Sequence, residues 1–506
     1  VGAESFVRCL PRLRRRILRA AFVALDMEFT GLHSTSLQNN EPSLFDSPAE
    51  RYVKARQSVQ RFTLVQLGKC CSDTESHLPG YVVHSYNFFL FPSTLGIRDV
   101  EFTLSASTIQ FLSHYGFDYN KFLKDGIPYM NEVQEKILSQ QLVAGTWKVC
   151  SNNADRDVMK KAIDEVTSWI VAAKEEDTMV LHDLNGYHML EVQLVLRQAL
   201  KNVWTEPLAD KKVMVKKVSP ERRQLLENSS YDHCQIKLIL LSARGFTNLF
   251  QILVKTKKPL VGHNMLMDLM HLHDKFYRPL PESYEEFKKN IHNLFPVILD
   301  TKTVTKAVQK VRCTGKEKNL THPLIFSSNL NPKGPPCPVI ALASGCSRYA
   351  EKKFPHEAGY DAFLCGSVLL MSAHLLLCRS TDDAVEAEPS FSQYLTVLAE
   401  HVNKVNFIRG GASSINFSGE DAPCHHPPAL VVHVRGWPGL TEEEIYQEFK
   451  AYHFDVRRLS KNQFILLSNK YKHVRLVLRD YRHHPHLQVS IYRHWRHSPS
   501  VSCLLQ

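Results

Sequence analysis

No C-x-x-C pair occurs in the sequence: its 12 cysteines are scattered, and only Cys70 and Cys71 are neighbours. Neither a zinc ribbon nor a disulfide framework is indicated, and a reducing compartment fits best. No signal peptide is visible. Apolar runs long enough to span a membrane are also scarce. The one stretch of that length, Ala358 to Cys378, is interrupted by Asp361 and His374. It reads as a buried helix, because a lone intramembrane Asp is costly.

The 506 residues are 44% hydrophobic, enough to bury a large core in two or three domains. Lys and Arg number 62 against 51 Asp and Glu, a net charge of +11. That excess favours an anionic partner such as nucleic acid or an acidic membrane surface.

Residues 4 to 20 read as a basic helix feeding a first strand. Three β-rich runs follow, 21 to 29, 60 to 70 and 81 to 92, arranged as an antiparallel meander. The polar segment His33 to Ser58 between the first two reads as an ordered loop or lid. Helical periodicity runs from Thr108 to Leu123. Between 155 and 235 two amphipathic helices (Val158 to Ala173, Leu190 to Val203), the strand Val213 to Val218 and a polar stretch form a compact insert. Then come a helix from Ala243 to Val254, the strand Pro259 to Gly262, a helix opened by His263 to Asp268, a charged helix over 281 to 295 and the strand Val297 to Asp300. Cys313 to Cys337 reads as a surface loop, and 381 to 427 as a linker. Residues 428 to 497 spell βαββαβ, a split-βαβ unit of the kind RNA-recognition motifs use. The domains are thus 1–154 and 236–380 for a two-part core, 155–235 for the insert, 428–497 for the last unit and 498–506 for a tail.

Phe22-Val-Ala-Leu-Asp-Met-Glu-Phe-Thr-Gly31 is the stretch about which the chain is organised. Strand side chains alternate, so Asp26 and Glu28 leave the same face about 7 Å apart, and a cation between them is the usual reason for such a placement. Two further acids recur in helix-opening contexts: Asp268 after Gly262-His-Asn264, and Asp361 five residues past His356. Four carboxylates can hold two Mg²⁺ ions for an in-line displacement at phosphate, with His356 as general base. Singly, each residue has an ordinary alternative: Asp268 as a helix N-terminal residue, His356 as a surface histidine, Asp361 as a cap. Their joint order is what is specific. Asp300 is expected to be structural.

D-x-E, a helix-opening Asp after G-H-N, and H-x-x-x-x-D together resemble the DEDD superfamily of 3′-to-5′ exonucleases in its His-containing branch. Asp26-Met-Glu-Phe-Thr-Gly31, Pro259-Leu-Val-Gly-His-Asn-Met-Leu-Met-Asp268 and Phe295-Pro-Val-Ile-Leu-Asp-Thr-Lys302 are more similar still to the CAF1/PARN family of exoribonucleases, and within it to the trimmers of pre-piRNA 3′ ends. The resemblance implies a ribonuclease-H-like α/β core with a mixed sheet, a helical α/β insert and a C-terminal RRM-like domain. It implies Asp26, Glu28, Asp268 and Asp361 as metal ligands for a two-ion Mg²⁺ site, with Mn²⁺ able to substitute, and His356 as general base. Phe29, Leu32 and Lys302 would contact substrate, although Phe29 fits a core position equally and Lys302 a solvated one. The insert lacks the Arg-x-x-x-His motif of PARN. The C-terminal unit lacks the aromatic pair that stacks bases, its third strand reading Gln463-Phe-Ile-Leu-Leu-Ser468.

The expected function is shortening of single-stranded RNA from its 3′ end, most closely PIWI-bound pre-piRNA in germ cells during spermatogenesis. The family implies a Tudor-KH-type recruiting protein, a homo-oligomer, and a membrane anchor beyond this chain. It also implies a place on the mitochondrial outer surface or the endoplasmic reticulum membrane. General poly(A) deadenylation and an inactive RNA- or protein-binding scaffold are the alternatives. The intact five-residue set argues against the scaffold.

Overall fold

A basic helix, α1 (Ala3–Arg19), runs directly into β1 (Ala20–Phe29). The apolar and aromatic run of β1 suits a strand covered on both faces. The computed structural model describes residues 1–33, 42–73, 80–93, 100–144, 153–184, 186–208, 212–227, 240–313, 336–380, 388–408, 410–423, 427–436 and 439–497. Within them β1 pairs antiparallel with β2 (Leu64–Asp73), and β2 antiparallel with β3 (Tyr81–Pro92). Four short strands extend this meander in parallel: β4 (Ile127–Tyr129) and β7 (Ile340–Leu342) on β3, β5 (Leu260–Gly262) on β1, and β6 (Ile298–Asp300) on β5. The order is β7-β3-β2-β1-β5-β6, with β4 also on β3, a mixed sheet as expected.

Alternation along β1 divides the core in two. Val23, Leu25, Met27 and Phe29 join Phe6, Leu13 and Ile17 of α1 on one face. Phe22 and Ala24 point the other way, against Ala362, Cys365, Leu369 and Ala373 of a long helix. That helix is the apolar run Ala358–Ser380. By length and composition it is able to cross a membrane, yet here it lies against the sheet, because its small and apolar residues find an apolar face there.

Several readings need correction. The polar stretch expected as a loop or lid holds the helix α2 (Pro48–Arg61), begun by a Ser47/Glu50 capping box and Pro48. Its buried Tyr52, Ala55 and Val59 stand at helical spacing, and β2 therefore starts only at Leu64. The helix expected over 108 to 123 is two, α3 (Ala106–His114) and Tyr119–Asp125, parted by Gly116 at φ +78°. The insert carries a three-stranded antiparallel sheet, Thr178–Leu181, Lys212–Lys217 and Val203–Leu208, where one strand was expected. The loop from Cys313 to Cys337 lies almost wholly outside the described residues.

The expected linker is the largest departure. It holds a helix, Phe391–Val397, and a hairpin, Lys404–Asn406 with Ser414–Asn416. Tyr394 and Leu398 are buried beside Phe22, and Val405, Phe407, Ile415 and Phe417 join the core on the α1 face. Three-residue strands are too short for alternation to reveal, and so the stretch read as unstructured.

The last unit follows the expected order: Leu430–Val434, Glu442–Phe449, Asp455–Arg458, Gln463–Leu467, Tyr471–Asp480 and Leu487–Ile491. Its four strands form one antiparallel sheet. The edge strand touches the segment before α2. Asp455 Oδ2 accepts the Leu44 N–H at 2.6 Å, and the Arg457 guanidinium lies 4.6 Å over the Phe45 ring.

Candidate active site

Asp26 and Glu28 leave the sheet on the face covered by the helix Ala358–Ser380. Gly68 is the register partner of Asp26. A methyl group there would overlap the carbonyl of Ala358, so the start of the long helix rests directly on β2. Side chains of the meander fasten that start. Ala358 N–H donates to Gln66 Oε1 at 2.9 Å, Gly359 N–H to Asn87 Oδ1 at 2.6 Å, and Ser85 Oγ to the Gly359 carbonyl at 2.6 Å. Asp361, in the first turn, is thereby brought over β1.

His356 precedes the helix in a left-handed conformation, φ +62°. Its N–H donates to Asp361 Oδ2 at 2.8 Å, which holds an otherwise disfavoured backbone. Its Nδ1 lies 3.9 Å from Glu28 Oε1. One donor atom each from Glu28, His356 and Asp361 fall within 4.8 Å of one another. Phe111 and Tyr115, at and just past the end of α3, meet the imidazole edge-on, with ring centres 4.5 and 4.4 Å away. Sequence reasoning missed both, since nothing local to 111–115 points to residue 356.

The fourth carboxylate comes from the other side of β1. After β5, Asn264 adopts φ +61° and turns the chain into α4 (Leu266–Leu272), which carries Asp268. Asp300, fully buried at the end of β6, clasps this turn. Its Oδ1 accepts the N–H groups of Asn264 (2.8 Å) and Lys302 (2.9 Å), and its Oδ2 those of Met265 (3.1 Å) and Asn406 (2.9 Å). The structural role expected for Asp300 is what these four bonds describe.

The four acids disturb one another. Burial pushes the Asp26 carboxyl well above its ordinary range, and the charges of Asp268, Glu28 and Asp361 add to the shift. Glu28 is raised to about 8 by burial, then by Asp361 and Asp268. Asp268 is raised to about 8, chiefly by burial. Burial also raises Asp361, against the opposing His356 N–H. Among the described residues no Lys or Arg forms an ion pair with any of the four. A set of hard oxygen donors that repel one another, joined by an imidazole, fits a divalent cation such as Mg²⁺ or Mn²⁺.

The three residues expected to touch substrate fare differently. Phe29 points to the opposite face from Asp26 and Glu28, 7% exposed and stacked on His271 at 4.2 Å. Its position is in the core, because a residue next to Glu28 in a strand must face the other way. Leu32, just past β1, is 46% exposed. Lys302 is exposed in the first turn after β6, its backbone N–H donating to Asp300 and its carbonyl accepting the Thr305 hydroxyl.

Four acids and a histidine thus gather on a mixed sheet, and among the described residues no Lys or Arg pairs with any of the acids. Residues 1–369 match the family described as CAF1 family ribonuclease, and the chain belongs to that family. It is 55% identical to the poly(A)-specific ribonuclease PNLDC1 of Mus musculus, over 100% of this chain and 96% of that one. It is 28% identical to the pre-piRNA 3′-exonuclease trimmer of Bombyx mori, over 98% and 94%. To the poly(A)-specific ribonuclease PARN of Homo sapiens it is 30% identical, over 74% and 61%. A solved structure of S. pombe Pop2p in a Mg²⁺- and Mn²⁺-bound form aligns with 73% of this chain and 89% of that one, at 14% identity and a TM-score of 0.34.

Proposed function

We propose that the chain is a 3′-to-5′ exoribonuclease that trims single-stranded RNA, with the extended 3′ ends of PIWI-bound pre-piRNA as its substrate. The observation that carries this reading is the convergence of Glu28, His356 and Asp361 donors within 4.8 Å, beside two further acids. Asp26, Glu28, Asp268 and Asp361 would hold divalent cations, Mg²⁺ or Mn²⁺. Such ions, when bound, supply Lewis acidity at the scissile phosphodiester. His356 takes the proton of the attacking water at its imidazole, steered by Glu28 at Nδ1 and by the Phe111 and Tyr115 rings. Leu32 and Lys302 line the approach, the latter as a cation for the RNA backbone.

The name of the Bombyx mori relative, aligned over nearly the whole chain, supports trimming of pre-piRNA. The name of the Mus musculus relative supports a second reading, general poly(A) shortening. A time course on 5′-labelled RNA with Mg²⁺, comparing A-tailed, mixed-sequence and 3′-terminal 2′-O-methylated substrates beside Asp26→Ala, separates the two. A 3′-shortening ladder absent in the variant and indifferent to tail sequence supports the trimmer. A ladder confined to A-tails supports the deadenylase.

The same reading places the enzyme in germ cells, on the mitochondrial outer surface or endoplasmic reticulum, recruited by a Tudor-KH-type protein and working beside a PIWI protein. Co-purification with each from germ cells tests it. Residues 428–497 are read as a degenerate RRM-like unit. Its edge strand is engaged by Leu44 and Phe45 within the chain, which favours docking on the nuclease over base stacking. The nuclease unit then includes residues 388–423 rather than stopping before a linker.

A further inference from the structure

The hairpin strand Lys404–Asn406 lies beyond the residues that match the family, which end at 369. It nevertheless lies along β6. Asn403 N–H donates to the Ile298 carbonyl at 2.8 Å, Asn403 Oδ1 accepts the Ile298 N–H at 2.9 Å, and Asn403 Nδ2 donates to the Pro296 carbonyl at 2.8 Å. This seats Asn406, 2% exposed, against the turn that launches α4.

Its backbone N–H and both ends of its carboxamide are engaged there. Its N–H donates to Asp300 Oδ2 at 2.9 Å, its Nδ2 to Asn264 Oδ1 at 2.8 Å, and its Oδ1 accepts Lys306 Nζ at 2.6 Å. An ammonium only donates, so the Lys306 contact fixes which end of the carboxamide faces Asn264. Asn264 is the left-handed residue of the turn, and Asp268 stands four positions on. Asp300 holds the same turn through the Asn264 and Met265 N–H groups. Asn406 thus touches both anchors of the element that presents Asp268 while touching none of the four acids itself.

We infer that Asn406 is a positioning residue of the nuclease site, setting Asp268 through Asn264 and Asp300. The inference rests on the reading of the four acids as metal ligands. Outer contacts that orient a ligand-bearing element typically carry 10- to 100-fold in metal affinity when lost. A purely structural contact lowers stability and leaves affinity alone.

The experiment measures Mn²⁺ affinity by calorimetry on the full chain, together with kcat and KM on RNA and the unfolding temperature in chelator. The proteins are wild type, Asn406→Ala, Asn264→Ala, the double variant and Asp26→Ala. Expected are a Mn²⁺ affinity weakened about 10- to 100-fold in Asn406→Ala, a kcat restored by raised Mn²⁺, and an unchanged KM. The double variant should be no weaker than the weaker single, because both singles remove the Asn406–Asn264 contact. Unchanged Mn²⁺ affinity with a lowered unfolding temperature, or additive losses in the double variant, would overturn the inference. Should Asn406→Ala fail to fold, Asn264→Ala reads the same contact from its other end. Failure of the underlying reading looks different: wild type binds no Mn²⁺, or Asp26→Ala binds it as well as wild type does.

Discussion

Gly68 and Ala358 are in direct backbone contact: the Gly68 Cα lies under the Ala358 carbonyl with no room for a methyl group between them. The sheet and the long helix meet there, directly across the ladder from Asp26. Gly68→Ala should lift the first turn of the helix and draw Asp361 away from Glu28. Overpacking of this kind costs about 1–3 kcal/mol. Activity should fall further than that loss of stability explains, which a comparison of denaturation midpoint with kcat at low temperature checks.

His356→Ala should lower kcat by about 10²- to 10⁴-fold, the usual worth of a general base, with RNA binding nearly intact. The backbone adds a second expectation. At φ +62° a Cβ is strained and glycine is not. His356→Gly should therefore be equally inactive yet more stable than His356→Ala, by about 1 kcal/mol. Paired thermal unfolding and single-turnover assays decide both points.

Asp268 shows what the acids cost the fold in chelator. With a carboxyl raised to about 8 in the fold against 3.8 in the unfolded chain, the native state binds the extra proton between those values. Its contribution to stability is therefore present below pH 4 and lost as pH rises towards 8. In chelator, Asp268→Asn should be more stable than wild type, with the gap widening from pH 5 to pH 8. Mn²⁺ should stabilise the wild type and not the variant. Urea titrations at the two pH values, with and without the ion, read all of this.

His271 has the opposite sign. Burial lowers its imidazole to about 3, with its Nδ1 against the Met267 carbonyl at 2.9 Å and its ring on Phe29. The unfolded chain takes up the proton first, from about pH 6.5 downwards, so stability is lost as pH falls from there towards 3. By pH 5 the loss is about 2 kcal/mol. His271→Gln should flatten that part of the stability curve, whatever it does to the plateau at neutral pH.

The residues legible in the sequence were those whose relation is local. Asp26 and Glu28 are two apart on one strand, His356 and Asp361 flank one helix start, and Asp268 follows a turn spelled Gly-His-Asn. The meander and the apolar helix announced themselves by length and composition. What escaped depends on register or on distant chain: Gly68 under Ala358, Asn87 holding Gly359, Phe111 and Tyr115 around His356, Asn406 behind Asn264. The short strands of the insert and of the 404–416 hairpin carry too few residues for alternation to show. Phe29 misled because proximity in sequence to Glu28 means, in a strand, the opposite face.

Asp300 bears on how inactivating alleles of this chain are interpreted. Its carboxylate is consumed by four backbone N–H groups, two on each oxygen, so exchanging it for asparagine replaces one acceptor oxygen by a donor and leaves two of those groups facing a like partner. In a survey of missense changes scored by RNA trimming, it would rank with Asp26, Glu28, Asp268 and Asp361 as a fifth indispensable acid. A count of intolerant acids then overstates the proposed ligand set by one. Only a readout of protein abundance beside activity would return Asp300 to the scaffold.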